Sequence, residues 1–273
     1  MRSPLAATRL AVIAVLVLAT SLALGMPAAH GAQSALAPGE PPQPDFEVSI
    51  SSSPAETDFG RRTVDLAGAV TRADGIPVAD APVQLTKSVL YDTWNPWGDP
   101  IDPTERETLS LGTVHTDAEG RFTLSGVTAD RWQNEPSIHL FPRHRVEFGA
   151  LYDPGDPTDH YAFFGDTTVA VQPVTSTLTY KVSRTKVRAG DTLVVVGQVT
   201  WPAGHGPVAG TRVLLRTYFE SAYNARATTD ANGRFAIRVK IRSYDREFVV
   251  FSAPGDYYIA GASHVLPVKN VTP

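Results

Sequence analysis

The sequence predicts an all-β protein of two tandem antiparallel β-sandwiches, set behind a signal peptide and a proline-rich linker. Three observations carry that prediction. The first is a duplication. Gly68-Ala69-Val70-Thr71, Pro77-Val78-Ala79, Val83-Gln84-Leu85, Thr116-Asp117-Ala118-Glu119-Gly120-Arg121-Phe122 and Pro154-Gly155-Asp156 occur in that order. They return as Gly197-Gln198-Val199-Thr200, Pro207-Val208-Ala209, Val213-Leu214-Leu215, Thr229-Asp230-Ala231-Asn232-Gly233-Arg234-Phe235 and Pro254-Gly255-Asp256. A repeat of this extent marks a duplicated domain. The second is period: apolar and polar residues alternate in short runs, and no segment holds the 3.6-residue period of a long helix. The third is punctuation by Gly, Pro, Asp and Asn, which divides each half into about seven short strands, the count of a two-sheet sandwich.

The elements follow in chain order. Arg2 and Arg9 precede an apolar run at residues 10–24, and small residues surround Ala29-His30-Gly31-Ala32. This is the plan of a secretory signal peptide, residues 1–32, cut after Gly31 or Ala32. Its apolar run is shorter than the roughly 20 residues of a membrane span. Residues 33–45 carry Pro38, Pro41, Pro42 and Pro44 with almost nothing to bury, and read as an extended linker. Packed chain begins at Phe46, where Phe46, Val48 and Ile50 alternate with Glu47, Ser49 and Ser51.

The first domain, residues 46–174, has further strands expected at 63–71, 82–88, 109–116, 121–124, 137–141, 146–151 and 167–171. The second, residues 175–273, has them at 177–183, 192–200, 212–218, 225–229, 234–241, 247–252 and 264–268. The boundary falls near residues 173–176. Asp117-Ala118-Glu119-Gly120 and Asp230-Ala231-Asn232-Gly233 each join two alternating runs. In each, the Asp bonds its own backbone and the Gly takes the left-handed conformation of a type I turn with a bulge. There is no cysteine, so no disulfide staples either domain and burial alone must hold it.

The residues 194–200 (Val-Val-Val-Gly-Gln-Val-Thr), then Gly206-Pro207-Val208-Ala209-Gly210, Val213-Leu214-Leu215 and the 229–235 hairpin, resemble bacterial immunoglobulin-like repeats. Carboxypeptidase-regulatory-like modules, which share the sandwich plan, are similar as well. The resemblance covers most of residues 46–268 and implies immunoglobulin-like sandwiches. It implies a spacer, adhesion element or accessory binding module on a secreted or surface protein. The Ala- and Arg-rich usage resembles that of actinobacterial proteins. One sandwich fold hosts many roles, so the likeness speaks to fold more than to function.

The two copies are unequal. From Leu85 to Thr116 the first spends 31 positions, against 14 from Leu215 to Thr229 in the second. The extra stretch contains Tyr91, Trp94, Asn95, Trp97 and Asp99. One reading is an aromatic platform for a glycan or peptide, with Asp92, Asn95 and Asp99 as hydrogen-bonding neighbours. The other is a set of rings folded back over a loop or sheet edge.

Charge is unequal too. Residues 33–174 hold 9 basic and 22 acidic side chains, and residues 175–273 hold 13 basic and 6 acidic. Arg234, Arg238, Lys240 and Arg242 alternate with Phe235, Ile237, Val239 and Ile241, and Arg212 and Arg216 alternate around Val213 and Leu215. They read as a basic face for an anionic partner, as a solvated face, or as a face that meets the acidic first domain.

Catalytic signatures are missing from the sequence. The histidines are scattered, and neither a His-Glu-x-x-His series nor a Gly-x-Ser-x-Gly elbow occurs. The acidic turns lack the ligand series of a calcium loop. The expected protein is therefore a secreted, non-enzymatic interaction or structural module without cofactor or metal. A cell-wall polymer, a glycan or another extracellular protein is its expected partner. An acidic exported chain argues against nucleic acid, and no stable membrane insertion is expected after the leader is cut. The alternative is a carbohydrate-binding protein using the Trp94/Trp97 loop.

Overall fold

A computed structural model describes residues 46–93, 104–132, 140–155, 162–218 and 223–273. The predicted leader and linker lie outside the described residues, as does most of the strand expected at 137–141.

The first half contributes β1 (Phe46–Ser53), β2 (Glu56–Asp58), β3 (Thr63–Arg72), β4 (Pro82–Thr93), β5 (Thr104–His115), β6 (Arg121–Thr128), β7 (Leu140–Tyr152) and β8 (Phe163–Gln172). They form a three-stranded sheet in the order β1-β3-β6 and a five-stranded sheet in the order β2-β8-β7-β4-β5. The chain then runs through β9 (Val174–Thr175), β10 (Thr177–Val182), β11 (Lys186–Val187), β12 (Thr192–Thr200), β13 (Arg212–Arg216) and β14 (Ala225–Thr228). It ends with β15 (Arg234–Lys240), β16 (Val249–Ala253), β17 (Ile259–Ala260), β18 (Ser263–Val265) and β19 (Lys269–Asn270). Here the sheets are β10-β12-β15 and β14-β13-β16-β18, with β11 beside β19 and β17 beside β9.

Duplicated sequence thus gives duplicated topology. The order β1-β3-β6 matches β10-β12-β15, and β5-β4-β7 matches β14-β13-β16. In each half a short second strand, β2 or β11, then adds in parallel to a strand late in that half, β8 or β19. The other pairings within the sandwiches are antiparallel. The protein is all-β, two immunoglobulin-like sandwiches in tandem.

Alternation decides what each sheet buries. Val48, Val70, Val83, Leu85, Phe122 and Ala150 fill one end of the first sandwich. Val64, Leu66, Val89, Phe148 and Val169 fill the other. Leu178, Leu193, Val195, Val213, Leu215, Phe235 and Ile237 fill the second sandwich. Each of these Val, Leu, Ile and Phe side chains contributes roughly 1.5–3 kcal/mol on burial.

The two predicted hairpin turns are present in the same form. The Asp117 carboxylate accepts from the N–H groups of Glu119 and Arg121 at 3.0 and 2.8 Å. The Asp230 carboxylate accepts from those of Asn232 and Arg234, both at 2.8 Å. Gly120 and Gly233 follow at φ 72° and 75°. Thr116 and Thr229 repeat a second device: each hydroxyl donates back to a carbonyl, of Val78 and Val208, and accepts an N–H, of Ala81 and Thr211.

The insertion after Leu85 differs from the expected loop. β4 runs on to Thr93 and pairs with β5 as far as Asp92↔Thr104, and with β7 as far as Thr93↔Leu140. The extra residues lengthen a three-stranded finger rather than leaving the sheet at residue 91. The cause lies in Val89-Leu90-Tyr91 and Thr108-Leu109, which carry β-branched, aliphatic and aromatic side chains suited to a pleated surface.

Both sandwiches belong to one compact unit, Gln43–Pro273. Among the described residues no helix is long and apolar enough to cross a membrane.

Candidate functional site

The segment between β16 and β17, Pro254-Gly255-Asp256-Tyr257-Tyr258, leaves the second sandwich and enters the first. Asp256 turns the chain: one carboxylate oxygen accepts from the Tyr258 N–H at 2.9 Å. That turn sends both tyrosine rings into the first sandwich, where they are buried among Val64, Tyr91, Ala129 and Phe148. The Tyr257 hydroxyl donates to the Arg145 carbonyl at 3.0 Å. The Tyr258 hydroxyl donates to the Ala129 carbonyl at 2.7 Å and lies 3.0 Å from the Thr57 hydroxyl. Burial pushes the pKa of both phenols up, so they stay protonated.

Charge closes the mouth of this socket. Arg62 bridges Asp256 at 2.8 Å and Asp130 at 3.2 Å. Its guanidinium also lies 4.5 Å from the Phe59 ring centre and 4.4 Å from that of Tyr258. Burial works against the Arg62 charge, but hydrogen bonds and attraction from Asp256 and Asp130 raise its pKa. Burial raises the Asp130 pKa, against the Arg131 N–H and the Arg62 charge. Arg131 donates to the carbonyls of Pro254 and Gly255. Beside them β9 and β17 pair in parallel, and Phe59 meets the His205 ring edge-on at 4.6 Å. His144 packs on Tyr257 at 5.4 Å, and its buried Nδ1 has no hydrogen-bond partner among the described residues. Trp201 lines a cavity of about 250 Å³ with Pro254, Asp256 and Ile259.

The sequence-predicted site residues are placed differently. Tyr91 is fully buried in the first core and donates to Glu107 at 3.2 Å. Its ring therefore offers no stacking surface, and that member of the expected platform is a core residue. The reason is its position on the inward face of the lengthened β4, beside Val89. Trp94, Asn95, Trp97 and Asp99 lie outside the described residues.

The six grouped cations do not share one face. Arg234, Arg238 and Lys240 are exposed on β15. Arg212 and Arg216 are on β13, in the opposite sheet. The Arg216 side chain is only 6% exposed and pairs with Glu247 at 3.2 Å. Burial lowers its pKa, and Glu247 opposes that shift. Arg212 and Arg226 line an open hollow of about 620 Å³. Arg242 lies beyond the end of β15, locked on buried Asp245 at 2.9 Å and over the Tyr244 ring. Equal spacing along two strands does not imply one surface when the strands belong to different sheets.

Sequence reasoning missed the socket. Its one signal was the pair Tyr257-Tyr258, two large aromatics directly after the repeated Pro-Gly-Asp, where the first copy has Pro157-Thr158.

No protein-family model matches the chain, and no curated protein does. Solved structures with similar strand arrangements exist. One is the tetra-tandem repeat in the extending region of a large adhesion protein, at 15% identity and TM-score 0.31, covering 81% of this chain and 49% of that one. Another is the adhesin InvE of Yersinia pseudotuberculosis, at 10% identity and TM-score 0.30, covering 82% and 58%. A third is trypsin-activated alpha-2-macroglobulin from Escherichia coli, at 11% identity and TM-score 0.33, covering 84% and 16%. This chain thus spans about half the length of the first two. TM-scores this low carry no argument about function, and the sandwich architecture rests on the strand pairing itself.

Proposed function

We propose that this chain is a secreted, non-enzymatic interaction or structural module, whose two sandwiches act as one stiff spacer outside the cell. The observation that carries this reading is the Tyr257/Tyr258 socket. A connection made only of residues 173–176 would leave the sandwiches free to swing, as inter-domain contacts often do. Two buried rings, three hydrogen-bonded side chains and a two-carboxylate arginine bridge fix their angle instead. A spacer needs such a joint to hold a binding surface at a set distance. The leader read from the sequence supplies the route out of the cell, and a cell-wall polymer, glycan or extracellular protein is the partner class.

Small-angle X-ray scattering of residues 33–273 tests the spacer reading. A single rigid envelope is the expected result, and Tyr257→Ala/Tyr258→Ala should broaden the distance distribution. A wild-type protein that scatters as two freely jointed bodies refutes it. N-terminal sequencing of exported protein tests the leader, with Ala32 or Gln33 expected first.

A second reading, carbohydrate binding through Trp94 and Trp97, draws on the finger formed by β4, β5 and β7. The second sandwich makes the same topology with β13 of 5 residues and β14 of 4, so the fold does not require the finger. A Trp94→Ala/Trp97→Ala variant that keeps its melting temperature but loses a ligand found on a glycan array would favour it.

A further inference from the structure

The outer face of the β10-β12-β15 sheet is basic and open. Register places Thr179, Gln198 and Arg234 in one row, Lys181, Val196 and Ala236 in the next, then Val194 beside Arg238 and Thr192 beside Lys240. The opposite face of the same strands carries Leu178, Leu193, Val195, Phe235 and Ile237 into the core. Lys181, Arg234, Arg238 and Lys240 are all exposed, and none makes a side-chain hydrogen bond or ion pair among the described residues. The three strands contain no Asp or Glu. The acids nearest in sequence are engaged: Asp191 holds Arg184 at 3.4 Å, and Asp230 closes its turn.

The first sandwich serves as an internal control. Its matching sheet has Ser51 where the second has Lys181, and Ser125 where the second has Arg238, with Arg121 matching Arg234. It also carries Glu47 and Asp65 on strands β1 and β3. The sandwich therefore folds without this concentration of positive charge. Protection of sheet edges by charged residues is the competing explanation, since β10 and β15 are terminal strands of their sheet. Yet β1 and β6, terminal in the same way, are rich in serine and threonine.

Spacing selects the partner. At about 3.3 Å per residue, Arg234 and Arg238 are roughly 13 Å apart along β15, with Lys240 roughly 7 Å further. A single small anion meets one of these cations at a time, whereas a chain bearing charge along its length meets all four. Threonine hydroxyls and Gln198 between them suit polymer oxygens. A lipid surface calls for inserted aromatic or bulky apolar side chains, and a single-stranded nucleic acid for stacking rings. Among the described residues the exposed large hydrophobic of this face is Val196.

We propose that the Lys181/Arg234/Arg238/Lys240 face docks a linear polyanion carrying phosphate or carboxylate groups along its chain. This rests on the interaction-module reading above and names its partner class. Arg contributes paired donors to such groups, and binding of this kind weakens steeply with salt.

The test uses residues 33–273 and long-chain inorganic polyphosphate in a titration at low and at physiological salt. Wild type should bind with a strong salt dependence. The variant Lys181→Ser/Arg234→Ser/Arg238→Ser/Lys240→Ser should bind at least about tenfold more weakly with a shallower salt slope. A control with Arg61→Ser/Arg72→Ser/Arg121→Ser on the first sandwich should stay within about twofold. Wild type that ignores polyphosphate overturns the proposal. So does a quadruple variant that binds unchanged, or one that merely aggregates while still binding, which would mark the cations as edge guards. Binding to phosphatidylglycerol vesicles or single-stranded DNA in preference to polyphosphate overturns it as well. A rigid scattering envelope with no polyphosphate binding sinks this inference alone and leaves the spacer reading standing.

Discussion

The Tyr258 hydroxyl, carried by the second sandwich, donates to the Ala129 carbonyl of the first at 2.7 Å, with both residues fully buried. This contact joins the two halves through a core rather than through a surface. Tyr258→Phe keeps the ring but leaves that carbonyl and the Thr57 hydroxyl short of a partner, at a cost of about 1–3 kcal/mol. Tyr258→Ala removes the ring as well and should cost roughly 3–5 kcal/mol. Urea unfolding of both variants measures the two steps. Equal midpoints for Tyr258→Phe and wild type would show that the hydrogen bond contributes nothing.

Arg62 is the only cation in the described salt bridges that joins the two sandwiches, holding Asp130 of one and Asp256 of the other. Arg62→Met keeps much of the packing against Phe59 and Tyr258 but strands Asp130, whose side chain is 18% exposed. Breaking a fully buried pair costs about 3–5 kcal/mol, and this partly exposed one should cost about 2 kcal/mol. Adding Asp130→Asn should recover part of the loss. A double-mutant cycle with no coupling energy would refute the bridge.

Acid should loosen the same joint. Burial pulls the His144 pKa below the ordinary value of 6.5, helped by the Arg131 charge and opposed by a hydrogen bond with the Tyr257 backbone. Above pH 6.5 the imidazole is neutral in both folded and unfolded chains and contributes no pH dependence. Below that value the unfolded chain takes up the proton first, so stability falls until pH reaches the depressed folded value. Denaturation midpoints measured across this window should drop for wild type and drop less for His144→Gln. Parallel pH profiles would exclude the histidine as the cause.

The sheets were legible in the sequence because alternation, turn glycines and duplication all point to the same fold. Asp117 with Gly120 and Asp230 with Gly233 specify their turns locally, so a local reading finds them. The socket was not legible. Tyr257 and Tyr258 find their partners, Arg145 and Ala129, more than 100 positions away, and no period or spacing encodes that pairing. The basic face was half legible. The alternation of β15 revealed Arg234, Arg238 and Lys240, but Lys181 joins them only through strand pairing. Arg216 was misplaced because alternation gives a residue's side of its own strand, and not what covers that side. Tyr91 fell within an insertion, and an insertion that extends a strand looks in sequence like one that makes a loop.

The duplicated turns give a paired prediction. Gly120 and Gly233 both sit at positive φ, and a Cβ on Gly120 would stand 2.7 Å from the Val70 carbonyl oxygen. On Gly233 the same atom would overlap the Val199 carbonyl and lie 3.1 Å from Val208. A β-branched residue meets both penalties, left-handed strain and backbone overlap, so Gly120→Val and Gly233→Val should each cost roughly 1–3 kcal/mol or more. The joint decides how that loss is distributed. If the two cores unfold together, either substitution lowers one shared thermal transition. When Tyr257→Ala/Tyr258→Ala is added, the transition should split, and each valine should then lower only the transition of its own half relative to the tyrosine variant alone. Calorimetry of the four combinations reads this directly. Separate transitions in the parent protein, before the tyrosines are touched, would show that the socket does not couple the sandwiches.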